Sequence, residues 1–347
     1  MQHSKSIAAI GLTFAFAASV MAHHSFVGFY DLSRIEEIEG RVQSVSWRNP
    51  HGSMVIEVTA PDGQTTNWQI ETGSISVLRV RGFDRDVVQV GDRVRIAGEP
   101  SLRHDNGLYA RNVLLPSGRE VLLSIGVEPR WSGASAETKL AEATFDRNVA
   151  AQARERATGL FRVWSTVFED PDSFPMFKGS YPLTNAALAK KAQWNPDSVI
   201  EQGCAFKGMP ALMVTPFPVE FIDRGDRIEM RFEEEDATRT IHLDPAAEKP
   251  AEFEPLYGFS RGHWEGDMLV VETDSISAEF FDYEGTPQSA SARYVERFVP
   301  TDDSSRLNYR ITVVDPDTFT ETFELSRYFV WRPELVVNPY DCLVATE

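Results

Sequence analysis

Short segments of alternating apolar and polar residues recur along most of this chain, and they are separated by turns that contain glycine or proline. Examples are residues 66–71, 227–233 and 262–273, and Arg224-Gly225-Asp226 is one of the turns. Successive side chains of a strand point to opposite faces, so this pattern is typical of sheets with one buried face. The sequence therefore predicts a mainly β protein with antiparallel strands and short turns.

The N-terminal residues have the pattern of a secretory signal peptide. Lys5 precedes an apolar stretch over residues 7–20, and Val20-Met21-Ala22 fits a cleavage site. That stretch is too short to span a bilayer, and no later stretch is longer, so we expect no membrane insertion. The sequence predicts a periplasmic or secreted protein that begins at His23 after residues 1–22 are removed.

Charge restricts the partners of the protein. The chain has 34 Lys and Arg residues against 52 Asp and Glu residues, a net charge of −18. Because affinity for nucleic acids depends mainly on cationic contacts, we expect no nucleic-acid partner. The acidity is uneven, with a net charge of −2 over residues 23–127 and −17 over residues 128–347. The expected partner is a small molecule, and the oligomeric state stays open.

Three regions follow the signal peptide. Residues 23–127 are predicted as three strands, a helix near residues 74–82 and two further strands, which is the order of a five-stranded OB-like barrel. Residues 128–158 are predicted as a linker with a helix over residues 137–157, because they are rich in Ala, Glu and Arg. Residues 159–347 carry at least eight strand patterns and are predicted as one antiparallel β domain, either a closed barrel or a sandwich.

Several motifs resemble those of two exported bacterial families without a known reaction. The runs Ala22-His23-His24-Ser25-Phe26, Asn49-Pro50-His51 and Arg81-Gly82-Phe83 resemble a family that begins His-His-Ser and has a single OB-type domain. The run Gly262-His263-Trp264-Glu265-Gly266-Asp267 and the run Val295-Glu296-Arg297-Phe298 resemble a second family. This resemblance implies a lipocalin-like barrel for the second half. The second family is expected to have His-Ser before its Val-Glu-Arg-Phe run, and this chain has Ala290-Ser291 there.

The two cysteines, Cys204 and Cys342, are predicted to form a disulfide, because an even cysteine count in an exported protein is typical of disulfides. Two separate buried thiols are the alternative. A disulfide would bring the start of the second half next to the C-terminal residues.

Histidines near the mature N-terminus indicate a candidate metal site. His23 would offer its α-amine and its imidazole, His24 follows it, and His51 lies in the Asn-Pro-His turn. Sites rich in nitrogen ligands suit Cu(II), so copper is the candidate cofactor. A solvated His-His segment beside an unrelated turn is the alternative, and His104 is a weaker candidate ligand.

Polar residues on the strand patterns of the second half could form a ligand pocket inside the barrel. Alternation places Arg293 on the face opposite Tyr294 and Glu296. The candidate ligand-binding residues are Arg239, His242, Arg261, His263, Arg293 and Glu296. Outward-facing residues with weak surface ion pairs are the alternative.

Two further motifs have simpler interpretations. Gly258-Phe259-Ser260-Arg261-Gly262 matches the G-x-S-x-G motif of serine hydrolases, but it lies in a β region, and a loop is the better interpretation. Glu233-Glu234-Glu235-Asp236 lacks the spacing of a calcium loop and is expected to be a solvated hairpin end.

The sequence thus supports three functional hypotheses. The leading one is a binding or accessory protein that holds a small apolar or aromatic ligand in the C-terminal barrel. The second is a copper-binding protein that uses His23, His24 and His51. The third is an enzyme in which Arg239, His242 and Glu296 supply the polar groups of a site in the second barrel.

Overall fold

The computed structural model describes most of the chain after residue 28. The described ranges are residues 29–49, 51–80, 83, 85–123, 127–131, 135–136, 147–167, 170–174, 176–177, 180–195, 207–253, 255–282 and 284–340. The fold is mainly β, with one closed barrel of five strands and one of nine. The predicted fold class is therefore confirmed. No helix of the described ranges is long and apolar enough to cross a membrane.

The first barrel has the strand order of an OB fold. Its strands are β1 (Glu36–Ser46), β2 (Ser53–Thr59), β3 (Thr65–Glu71), β4 (Arg93–Pro100) and β5 (Gly107–Leu114). Strand β1 pairs with β2 and β4, and the parallel pairing of β3 with β5 closes the barrel. Two short strands, β6 (Arg119–Leu122) and β7 (Ser135–Ala136), extend the sheet from β5.

A short helix lies between β3 and β4, as the OB order predicts. This helix, α1 (Ile75–Val80), begins after Ser74, whose hydroxyl accepts a hydrogen bond from the Val77 amide at 3.3 Å. Capping of this kind satisfies an amide that has no partner within the helix. Leu78 points into the barrel and is fully buried among Ile56, Ile70 and Ile96. The helix therefore covers one end of the barrel core.

The second barrel closes over nine strands, one more than a lipocalin has. They are β8 (Val163–Ser165), β9 (Val219–Asp223), β10 (Arg227–Phe232), β11 (Thr238–His242), β12 (Phe259–Glu265), β13 (Met268–Asp274), β14 (Arg293–Pro300), β15 (Arg306–Val314) and β16 (Phe323–Trp331). All pairs are antiparallel except β11 with β12, because a long connection replaces a hairpin there. Gly225 and Gly266 adopt positive φ angles of 83° and 62° in the tight turns before β10 and β13.

Three helical segments outside the strands bear on the predictions. The linker contains α2 (Arg147–Arg156), which is shorter than the predicted helix; residues 137–146 lie outside the described ranges. Helix α3 (Asn185–Lys191) begins after Thr184, whose hydroxyl accepts a hydrogen bond from the Ala187 amide at 3.2 Å. A 3-10 turn, Ala211–Val214, packs into the second barrel, and we call residues 209–214 the plug.

The core of the second barrel is built from large apolar side chains in the inward register. Trp164, Phe232, Phe298 and Phe329 are each no more than 1% exposed. The plug residues Met209, Leu212 and Met213 belong to the same buried cluster. The interior is therefore occupied largely by the chain's own side chains.

Replacing Phe298 by alanine should lower the free energy of unfolding by about 3–5 kcal/mol, because it leaves a cavity in a packed core. Urea denaturation measures this change. Leu188→Ala on the exposed face of α3 is the control, and we expect it to change the stability by less than about 0.5 kcal/mol. Equal effects of the two substitutions would contradict the packed interior.

Candidate functional sites

A buried ion pair lies inside the second barrel. Arg239 on β11 and Glu296 on β14 are 1% and 0% exposed, respectively. Arg239 Nη1 donates to Glu296 Oε1 at 3.0 Å, and Arg239 Nη2 donates to Glu296 Oε2. A bidentate pair of this kind fixes the relative position of two strands that are not neighbours in the barrel.

Hydroxyl groups surround the ion pair and satisfy its remaining hydrogen-bonding atoms. Ser260 Oγ accepts from Arg239 Nε at 3.1 Å, and Thr273 Oγ1 accepts from Arg239 Nη2 at 2.8 Å. The Tyr309 hydroxyl donates to Glu296 Oε1 at 2.9 Å. Burial would lower the pKa of Arg239, but Glu296 outweighs it and raises that pKa. Burial, and next the charge of Glu296, raise the pKa of Tyr309, which keeps its phenol protonated.

Met213 of the plug lies between two arginines that reach it from different sides of the barrel. Arg239 Nη1 is 3.9 Å from the Met213 sulfur, and Arg327 Nη1 on β16 donates to the Met213 carbonyl oxygen at 3.1 Å. Arg327 also donates to the Thr166 hydroxyl at 2.6 Å. The plug is thus bound at the polar centre of the barrel as well as by apolar packing.

The other four predicted ligand-binding residues lie apart from this centre. His242 stacks on Phe259 with ring centroids 4.9 Å apart. Burial, and next the positive charge of Arg227, lower the pKa of His242. Arg261 lies over the same ring at 4.4 Å. His263 is exposed beside Glu265 at 3.1 Å, and Arg293 is exposed on β14. Of the six predicted residues, only Arg239 and Glu296 come together in the interior.

The G-x-S-x-G match and the run of four acidic residues lie in surroundings other than those expected from the sequence. Ser260, the serine of the G-x-S-x-G match, lies within β12 and not in a loop, and its hydroxyl is enclosed by Arg239 and Thr273. The run of four acids joins β10 to β11 but is not a solvated hairpin end. Glu233 and Glu234 are 0% and 1% exposed, because other segments of the chain cover them.

His51 lies with Glu71 and two tyrosines at the end of the first barrel. Its Nδ1 atom is 3.0 Å from the Thr72 carbonyl oxygen and 3.2 Å from Glu71 Oε1. Tyr30 donates its hydroxyl to Glu71 Oε2 at 2.7 Å, and its ring packs against Tyr109 with centroids 5.6 Å apart. Burial and the adjacent Glu71 raise the pKa of Tyr30, so the phenol stays protonated. His104 is exposed in the loop between β4 and β5.

Several of the predicted site and disulfide residues fall outside the described ranges. They are His23, His24, Cys204 and Cys342. Among the residues that the structure does describe, no group of three His, Cys, Asp or Glu side chains is arranged to hold a metal ion. The predicted disulfide and the predicted approach of His23 to His51 therefore stay predictions.

Sequence reasoning missed Thr273, Tyr309, Arg327 and Glu71. The first three share the inward register with apolar neighbours two residues away, such as Val271, Leu307 and Phe329. A polar residue in an otherwise apolar register was the available signal. Nothing in the sequence connects Glu71 to His51, because their contact depends on the pairing of β2 with β3.

Removing one partner of the ion pair should destabilise the protein strongly. Arg239→Met leaves Glu296 buried without its cation, and we expect a loss of about 3–5 kcal/mol in urea denaturation. The double variant Arg239→Met/Glu296→Met should lose less than Arg239→Met alone, because no uncompensated charge remains. Arg293→Met, at an exposed site on β14, is the control. A double variant less stable than Arg239→Met would contradict this account.

Residues 12–109 match a protein family described as "Family of unknown function (DUF6152)". The match extends through β1–β4 and the first residues of β5. This match agrees with the predicted resemblance of the N-terminal part to an uncharacterised family. The match does not cover the second barrel. No curated protein matches the chain.

Proposed function

We propose that the protein is exported and binds a copper ion at the end of the first barrel, through His51 and the histidines His23 and His24. The observation that supports this most is the orientation of the His51 ring. Both neighbours of Nδ1 are oxygen atoms that accept hydrogen bonds, which favours the tautomer with the ring proton on Nδ1. The lone pair of Nε2 is then available to a metal ion, on a side chain that is 40% exposed.

Glu71 gives this histidine the surroundings of a metal ligand. A histidine that binds a metal usually donates its other ring N–H to a carboxylate or a carbonyl, which orients the ring and raises its basicity. His51 has both acceptors, and Tyr30 holds the Glu71 carboxylate from the other side. The side chain therefore needs little rearrangement to bind a metal ion.

The chain between His24 and Tyr30 is long enough for the N-terminal histidines to reach His51. Phe29 and Tyr30 are fixed to the barrel, since the Leu102 amide donates to the Phe29 carbonyl at 2.7 Å and Tyr30 bonds to Glu71. Five residues lie between His24 and Tyr30, and the six Cα–Cα steps of an extended chain span up to about 20 Å. The α-amine and imidazole of His23 would complete a nitrogen-rich site of the kind that Cu(II) prefers.

Isothermal titration of the mature protein with Cu(II) tests this function. We expect one strong site, and His51→Ala should abolish it because it removes a ligand. Glu71→Gln should weaken binding about 10- to 100-fold, since it replaces the charged acceptor of the His51 N–H by a neutral amide. N-terminal sequencing of the exported protein should begin at His23.

His104→Ala is the matched control, because it removes an exposed histidine from the same barrel. Unchanged copper binding by a variant that lacks both His23 and His51 would disprove the proposal. Binding that is lost equally in His104→Ala would also contradict it.

A second candidate function is the binding of a small apolar or aromatic molecule in the C-terminal barrel, as the lipocalin-like resemblance suggests. It is favoured by the position of Met213 between Arg239 and Arg327, which is where a guest would meet polar groups. A guest must displace the buried side chains Met209, Leu212, Met213 and Val214. At about 1.5–3 kcal/mol for each side chain, the cost is about 6–12 kcal/mol. This proposal therefore requires a ligand of comparable apolar area.

Native mass spectrometry of protein purified from a periplasm tests the second candidate. A retained small molecule, lost when Met213 is replaced by Trp to fill the space further, is the expected result. Retention of the molecule by Met213→Trp would place it elsewhere, and the absence of any retained molecule would count against the proposal. The enzyme hypothesis has less support, because His242 lies outside the polar centre of the barrel.

A further inference from the structure

The two barrels are joined by buried hydrogen bonds to one carboxylate, Glu233. Ser76 of α1 donates its hydroxyl to both carboxylate oxygens, at 2.6 and 2.8 Å. Asn338, in the segment after β16, donates its backbone amide to Glu233 at 3.0 Å and its side-chain amide at 2.9 Å. Three parts of the chain therefore meet at one side chain: the first barrel, the second barrel and the segment that follows both.

Asn49 ties the turn that carries His51 to the same junction. Its Oδ1 atom accepts the Ile75 amide at the start of α1, at 3.0 Å, and its Nδ2 atom donates to the Pro339 carbonyl oxygen at 3.2 Å. Asn49 is 0% exposed. His51 is two residues away, so a shift of residues 338–339 would change the support of the turn on which the imidazole is mounted.

We propose that the second barrel and residues 338–339 hold the His51 turn in place through Glu233 and Asn49, a contact that we call the clamp, and that ionisation of Glu233 weakens it. Asn49 and Glu233 are then positioning residues, which act on the metal through His51 and do not touch it. The part of this inference that concerns metal affinity rests on the proposed copper site. The part that concerns the junction does not.

The expected direction of the pH effect follows from the burial of Glu233. Burial raises the pKa of this carboxyl, although hydrogen bonds from Ser76, Asn338 and Asn49 act in the opposite direction. The neutral form is therefore favoured in the closed junction relative to an exposed carboxyl. The contribution of Glu233 to the stability of the junction is fully present below the ordinary glutamate pKa. It is lost as the pH rises through the raised pKa of Glu233.

Other titratable or charged groups lie on the elements around Glu233. On the first barrel these are Arg48, His51 and Arg79, and on the second barrel they are Lys207, Arg231, Glu234, Glu235 and Asp236, with Tyr340 in the last segment. Glu235 needs its own control. Burial, with the charge of Glu234, raises its pKa to about 7, and Lys207 opposes this. Glu235 would therefore titrate in the same direction as Glu233.

The segment after β16 packs incompletely against the second barrel. A cavity of about 250 Å³ lies beneath residues 337–339, lined on the barrel side by Phe232, Thr238 and Arg231. Local loosening at this point needs less disruption of packing than opening of either barrel core would.

Hydrogen–deuterium exchange of the metal-free protein tests the junction. After correction for intrinsic exchange, peptides covering residues 48–52 should exchange several-fold faster at pH 8 than at pH 5. Glu233→Gln should remove most of this difference, because the amide keeps the size of the side chain and does not ionise. Glu235→Gln should leave it in place. A wild-type pH dependence that persists in Glu233→Gln would overturn the clamp.

Copper affinity provides the second measurement. Asn338→Ala should raise the copper Kd about tenfold, a typical cost of losing a group that orients a ligand. Asn308→Ala, at an exposed asparagine on β15, should leave it unchanged. The ratio of variant to wild-type Kd is compared at each pH, so that protonation of the histidines cancels.

The two proposals fail separately. If the wild type binds no copper while residues 48–52 show the expected exchange, the metal site is wrong and the clamp of the turn stands. If copper binds and neither Asn338→Ala nor Glu233→Gln alters exchange or affinity, the metal site stands and the clamp is wrong.

Discussion

The second barrel depends on one buried ion pair that crosses its interior. An arginine and a glutamate are expensive to remove from water, and they are tolerated only when every donor and acceptor finds a partner. Arg239 and Glu296 meet this condition through Ser260, Thr273 and Tyr309, which all lie in the inward register. The pair therefore fixes the relative position of strands in a barrel whose core is otherwise largely apolar, apart from the hydrogen bonds of Arg327 to the plug and to Thr166.

The interior of the second barrel differs from that of a carrier protein with an open ligand cavity. A barrel of nine strands is wide enough to need filling, and the chain supplies the filler itself in the plug. Met213 contributes its thioether and its carbonyl oxygen to arginines on different sides. Apolar burial and polar contacts thus hold the plug in place, so a ligand must bind strongly to displace it.

Alternation and turn residues were sufficient to predict the strands of both halves and the helix between β3 and β4, because these features depend on local sequence. The pattern alone left a barrel or a sandwich open for the second half, and the lipocalin-like resemblance favoured the barrel. The candidate sites were predictable only in part. Alternation placed Glu296 on the face opposite Arg293, and the structure has that arrangement. The partner of Glu296 is 57 residues away, on a strand chosen by barrel closure. The contact of His51 with Glu71 likewise depends on long-range pairing, which no local pattern encodes.

The position of Asn338 and Pro339 in the chain has a consequence for the order of assembly. These residues follow both barrels, and they supply the bonds that secure Glu233 and Asn49. During synthesis the first barrel emerges well before them, so it can fold while its His51 turn still lacks that support. Docking of residues 338 and 339 is therefore the event that completes the support of the turn, and the turn reaches its final packing only after both barrels have been synthesised.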